Sequence, residues 1–260
     1  MQILLTNDDG IHAPGLWALH HALAGHHAVT VVAPDRERSA VGHGITLHQP
    51  IRLESARVNG SAQGYAVSGT PADCVKLGLA ELFDRRPDLV LSGINPGANV
   101  GVNVNYSGTV AAAKEAAIAG IPAIAVSIKA PGRDHLAAAA RFAEGFSRQV
   151  MARGIPTGTF LNLNFPDLPM DEIRGVRWSR QGTDGVAQHF EKRRDPRDRT
   201  YYWQACDQQD GYAQTDVDGG ALAGRFISVT PIKCDMTDYD TLRTLSEWEI
   251  PLSPDPEADR

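Results

Sequence analysis

Two adjacent carboxylates, Asp8 and Asp9, follow the apolar run Ile3-Leu4-Leu5 and precede Gly10. Side by side at the carboxyl end of a buried strand, they repel each other, and a bound cation relieves that repulsion. Two more polar turns follow strand-like runs. Ser39 closes the turn 34–39 after AVTVVA (28–33), and Asn95 lies in a Gly- and Asn-rich turn after PDLVLS (87–92). Asp8, Asp9, Ser39 and Asn95 are all oxygen donors. An oxygen set without His or Cys suits Mg²⁺, Mn²⁺ or Ca²⁺ better than zinc. Plainer readings stay open residue by residue: Asp8 as a cap, Ser39 as a turn residue, Asn95 holding its own loop.

A second constellation is Tyr106-Ser107-Gly108-Thr109, which opens an alanine-rich helix over 110–119. Ser107 or Thr109 there is a natural N-cap, and the free N–H groups of the first turn form an anion site. Gly97, Gly101 and Gly108 permit close backbone approach to a phosphate, or simply serve tight turns. The chain has no GxxxxGK[ST] and no GxGxxG after a strand, so neither a P-loop nor a standard dinucleotide fingerprint is present. It has no GxSxG elbow for an esterase.

These residues require strands that all end on one edge. Strand-like runs at 28–33, 87–92, 122–127 and 159–164 alternate with helical patterns at 14–23, 71–83, 110–119 and 135–153. That alternation predicts a Rossmann-like α/β fold: a mostly parallel sheet with helices on both faces and right-handed crossovers. Thr159–Asn164 reads as its last parallel strand. Residues 42–70 read as a loop and an antiparallel excursion. A soft boundary near Pro166 separates a catalytic domain, 1–166, from a β-rich extension, 167–260. The extension contains an Arg-rich hairpin (189–203), a strand (225–231) and a short helix (238–248). The tail, Pro251–Arg260, is expected to fray.

A net charge of −6 argues against a general nucleic-acid binder. The three cysteines form no CxxC pair, and Cys74 reads as core filler. This pattern, with no N-terminal h-region and no bilayer-length apolar run, points to a cytoplasmic protein without a membrane partner. Of the nine histidines, His20, His21, His26 and His27 read as surface residues, while His12 and His43 lie in loops near the proposed site. The Arg-rich run 192–199 reads as a solvated hairpin, or else as a contact for an acidic partner subunit or a polyanionic substrate.

LLTNDDGIHAPG (4–15), VVAPDRERSAVGHGIT (31–46), VSGTPADCVKLGL (67–79), DLVLSGINPGANVGVNVNYSGTVAAAKEA (88–116) and GIPAIAVS (120–127) resemble the SurE family of survival-protein nucleotidases. FLNLNFP (160–166) and ISVTPIKCDMTDY (227–239) resemble its later motifs. The resemblance implies a metal-dependent phosphatase of nucleoside 5′- and 3′-monophosphates, in some members also of polyphosphate. It implies one divalent ion per subunit, Mg²⁺ or Mn²⁺, held by Asp8, Asp9, Ser39 and Asn95. It implies phosphate contacts from Asn99, Ser107, Gly108 and Thr109, with Asp8 and Asp9 as catalytic residues. It also implies a homodimer or homotetramer built through the C-terminal region. Ala111 and Ala116 stand where the family often has glycine. Water is the expected nucleophile, since the DxDx[TV] pattern of aspartate-nucleophile phosphatases is missing. A non-catalytic nucleotide sensor and a metal-dependent transferase are the alternatives.

Overall fold

The computed structural model describes residues 1–58, 62–129, 133–183, 188–206 and 214–250. The expected fraying of the tail at 251–260 falls outside them.

Ile3, Leu4 and Leu5 are all fully buried. Successive residues of a strand point to opposite faces, so burial of all three requires cover on both sides. The elements supply it. They run β1 (Gln2–Thr6), α1 (Pro14–Leu23), β2 (Ala28–Pro34), β3 (Leu53–Val58), β4 (Ala62–Val67), α2 (Pro71–Glu81), β5 (Leu89–Pro96), a 3-10 turn (Gly101–Asn105), α3 (Gly108–Ile118), β6 (Ala123–Ile128), α4 (Arg133–Arg153) and β7 (Thr159–Phe165). Beyond the soft boundary come β8 (Val176–Trp178), β9 (Gln188–Arg194), β10 (Thr200–Cys206), α5 (Asp218–Ala223), β11 (Ile227–Lys233) and α6 (Tyr239–Leu245). Ile3 and Leu5 pack with Leu16, Leu19 and Leu23 of α1 and Ala139, Ala140 and Ala143 of α4. Leu4 packs on the other face with Cys74 and Val75 of α2 and Ala112, Ala113 and Ala116 of α3. Cys74 is core filler, as its position on the helix suggested.

The main sheet has nine strands in the order β3-β4-β2-β1-β5-β6-β7-β11-β8. β1 lies parallel between β2 and β5, and β3 and β4 form the antiparallel excursion. The fold is the expected mostly parallel sheet with helices on both faces and a β-rich extension. β7 runs parallel to β6 and is, as expected, the last strand of the parallel set. β11 returns antiparallel to β7 and then pairs in parallel with β8. Three residues of β8 are too few to display an alternation that sequence reading can detect. Helix α5 was likewise hidden, because Asp-Gly-Gly-Ala-Leu-Ala has poor helix propensity. Burial of Asp218 through Leu222 holds it instead.

Candidate active site

The chain order reverses direction at β1, with β2 on one side and β5 on the other. Ligands of open α/β sheets bind in the crevice at such a reversal, outside the carboxyl ends of the strands. The three polar turns therefore meet there. Asp8 O accepts from Arg38 N at 2.7 Å, tying the Ser39 turn to the acidic loop. Across β5, a register shift against β6 between Ser92 and Asn95 re-aims the strand end toward the crevice. Gly93 makes that bend possible. Its φ is +139°, and an added Cβ would lie 2.2 Å from Val126 O.

Asp8 is 4% exposed. Burial pushes its carboxyl up from the usual range, opposed by the Thr109 hydroxyl and by N–H groups at the start of α3. Asp9 is pushed up to about 7, first by burial, then by the charges of Asp8 and Glu37. Its Oδ2 is buried and has no hydrogen-bond partner among the described residues. Asn95 Nδ2 donates to Gly97 O at 2.6 Å, which leaves Oδ1 as its available atom. Ser39 Oγ donates to Glu37 Oε1 at 2.7 Å and keeps its lone pairs.

Asn99 is locked from behind. Its N–H donates to Asn164 Oδ1 at 2.8 Å, and its carbonyl accepts from Asn162 Nδ2 at 2.8 Å. Its side-chain Nδ2 donates to Ser127 Oγ at 2.8 Å. One amide proton then remains for a ligand oxygen. Ser107 caps α3 by accepting from Val110 N.

Gly108 and Thr109, expected as phosphate contacts, also lie against Asp8. Neither lines the cleft. Thr109 is fully buried, and its hydroxyl donates to Asp8 Oδ1 at 2.5 Å. A Cβ on Gly108 would stand 2.7 Å from Asp8 Cβ. The first turn of α3 thus presses on Asp8, because a buried carboxylate competes for the same donors as a phosphate. Thr109→Val should therefore act through Asp8. Stranding a buried acceptor costs about 1–3 kcal/mol. Thermal melts should show that loss, with kcat falling more than KM rises, and Thr109→Ser should restore both. A Thr109→Val protein with wild-type melting and turnover would contradict this placement.

Asp8, Asp9, Ser39, Asn95, Asn99 and Ser107 line one cleft of 740 Å³. The rest of the lining is Glu37, Ala40, Pro96, Asn103, Tyr106 and Gln204; of its polar members, sequence reasoning singled out Tyr106 only as part of the helix-opening constellation and did not assign Glu37, Asn103 or Gln204 to the site. Glu37 lay within the polar turn already singled out, but Gln204 carried no local signal. His12 and His43 are not in the lining. His43 instead pairs with Glu115 at 2.8 Å. His27 corrects the surface reading too, since its side chain is 6% exposed and contacts Glu144 at 3.2 Å. The Arg-rich hairpin largely pairs with itself, through Arg193–Glu191, Arg194–Asp198 and Arg199–Asp195.

Among the described residues lining the cleft, none is Lys, Arg or His. Among the described residues, no group of three His, Cys, Asp or Glu side chains is placed to hold a metal ion by itself. A divalent ion would thus rest on two carboxylates and the neutral oxygens of Ser39 and Asn95. The partnerless Asp9 oxygen and the crowded like charges fit such a hard cation.

Residues 3–188 match the family model described as "Survival protein SurE". A protein of Desulfatibacillum aliphaticivorans named 5'-nucleotidase SurE is 56% identical over 250 residues, covering 96% of this chain and 99% of the relative. One of Syntrophobacter fumaroxidans with the same name is 49% identical, covering 96% and 100%. The crystal structure of the SurE protein from Aquifex aeolicus aligns with a TM-score of 0.81 at 39% identity, covering 95% of this chain and 98% of that one.

Proposed function

This chain belongs to the SurE family, and from that premise we propose that it is a divalent-metal-dependent nucleotidase. Its substrates are nucleoside 5′- and 3′-monophosphates, with shortening of polyphosphate as a side activity. The observation that carries this reading is the pairing of crowded carboxylates with a cleft whose described lining has no basic side chain. A phosphate dianion cannot approach Asp8, Asp9 and Glu37 unless a cation offsets their charge.

Asp8, Asp9, Ser39 and Asn95 would hold the ion, Mg²⁺ or Mn²⁺. When bound, it supplies Lewis-acid charge beside the phosphoryl group. The free amide proton of Asn99 and the polar edge of Ser107 bind phosphoryl oxygens and hold the phosphorus in line for attack. Asp9 is suited to orient the attacking water and take its proton, because its Oδ2 has no other partner. Asp8 is suited to a fixed role, since Thr109 restrains it. Both arguments favour water over an aspartate nucleophile. The exposed Trp203, Trp248 and Ile250 of the extension support a homodimer or homotetramer built there. Among the described residues no helix is long and apolar enough to cross a membrane; a cytoplasmic placement is part of the proposal.

Phosphate release from nucleoside monophosphates, with Mn²⁺, Mg²⁺ or chelator, tests the reading. Release with the ion and none with chelator is expected. Tight binding without release would instead mark a sensor, and release only with an added alcohol acceptor a transferase.

A pH effect follows from Asp9. Its folded-state pKa of about 7 lies above its unfolded value. Its contribution to metal-free stability is thus present below the ordinary carboxylate range and is lost as pH rises through about 7. The ion competes with that proton, so Mn²⁺ should raise Tm more at pH 8 than at pH 5.5. An equal or reversed shift in paired melts would contradict the argument.

A further inference from the structure

The cleft is larger than a phosphoryl group needs, and one wall comes from the hairpin of the extension. Gln204 of β10 lines it together with Tyr106 and Asn103. In the hairpin register Gln204 faces Phe190, and Tyr202 faces Lys192. Cross-strand partners and residues two apart share a face. Gln204, Phe190, Tyr202 and Lys192 therefore form one surface that begins in the cleft and continues outward. Phe190 is 63% and Tyr202 59% exposed, so both rings are open to a ligand.

Residues 181–182, which precede the hairpin in the chain, are fastened to the site. Asp218, fully buried at the start of α5, accepts from Gly101 N at 2.8 Å and from Gly182 N at 3.0 Å. Gln181 Nε2 donates to Gly101 O at 2.8 Å. Gly101 ends the loop that carries Asn99, so residues 181–182 and the Asn99 loop share one anchor.

We infer that this hairpin face is the subsite for the nucleoside part of the substrate, with Gln204 reading a polar edge and the Phe190 and Tyr202 rings stacking on the base. A primary amide offers both donor and acceptor to a base or sugar. Aromatic rings stack on any base, whatever its sequence of polar groups. The inference rests on the nucleotidase reading and adds the element that distinguishes a nucleotide from other phosphomonoesters.

The test compares wild type, Gln204→Ala and Tyr202→Ala on a nucleoside 5′-monophosphate and on glycerol 2-phosphate, which has no ring. Loss of one stacking or hydrogen-bonding contact should lower kcat/KM for the nucleotide roughly tenfold more than for glycerol 2-phosphate. Direct titration with adenosine, which has no phosphate, should show a similar loss of affinity. Light scattering on the same variants reports their assembly. Equal losses on both substrates with unchanged adenosine binding would overturn the subsite. So would a changed oligomeric state with selectivity intact, which would mark the face as an interface between copies. If wild type binds adenosine monophosphate but releases no phosphate, the nucleotidase reading fails, and the adenosine titration still decides the subsite.

Discussion

Asp9→Asn is expected to reduce turnover by ~10²–10³-fold, the usual cost of losing one oriented electrostatic contact in an active site. The same change should leave the chelated protein at pH 8 at least as stable as wild type. Asparagine keeps the shape of the side chain and removes the charge that burial, Asp8 and Glu37 all disfavour. The buried Oδ2 has no hydrogen bond to lose among the described residues. Function and stability thus move in opposite directions, as expected where a site stores unfavourable charge for a ligand. Phosphate-release kinetics and melts in chelator check the two halves. A variant with full turnover, or one that melts well below wild type when metal-free, would refute the assignment of Asp9.

Gly108→Ala should be damaging although it adds only a single methyl group. The new Cβ would stand 2.7 Å from Asp8 Cβ, 3.0 Å from Asp8 Oδ2 and 3.1 Å from Pro71 Cγ. None of these is the end of a flexible chain, so the tip of β1 and the start of α3 must separate. Overpacking of this kind costs about 1–3 kcal/mol, and a displacement of ~1 Å at reacting groups can cost ~10²-fold in rate. Helix propensity alone would favour alanine over glycine by about 1 kcal/mol. The sign is therefore decisive. A stabilised and active Gly108→Ala would show that α3 does not press on Asp8.

Sequence alone made the frame of this site legible because its signals are local. An apolar run ending in Asp8-Asp9, a Pro-led helix and a second apolar run identify β1, α1 and β2 without reference to the rest of the chain. Adjacency of β1 to β2 and β5 then brings Asp8, Asp9, Ser39 and Asn95 to one edge. What stayed hidden depends on contacts between distant segments. The partner of Thr109 lies 101 residues away, so capping logic alone assigned its donors to a ligand. The burial of His27 depends on Glu144 of α4, which its helix-end position does not reveal. Gln204 sits in a hairpin whose consecutive aromatics Tyr201-Tyr202-Trp203 signal a strand but not what that strand leans on.

The proposed assembly and the proposed nucleoside subsite draw on the same extension. Trp203 and Gln204 are neighbours on β10 and point to opposite faces. One face can therefore meet another subunit while the other completes the cleft. Subunit contacts that shift the hairpin would then change substrate selectivity.

The most direct measurement is a Mn²⁺ binding isotherm on chelator-treated protein, wild type and Asp9→Asn, with phosphate release from a nucleoside 5′-monophosphate followed at each point. One ion per chain is predicted for wild type, with turnover rising in step with occupancy and both lost in the variant. Full turnover by the chelated protein, or tight Mn²⁺ binding that survives the loss of Asp9, would contradict the account.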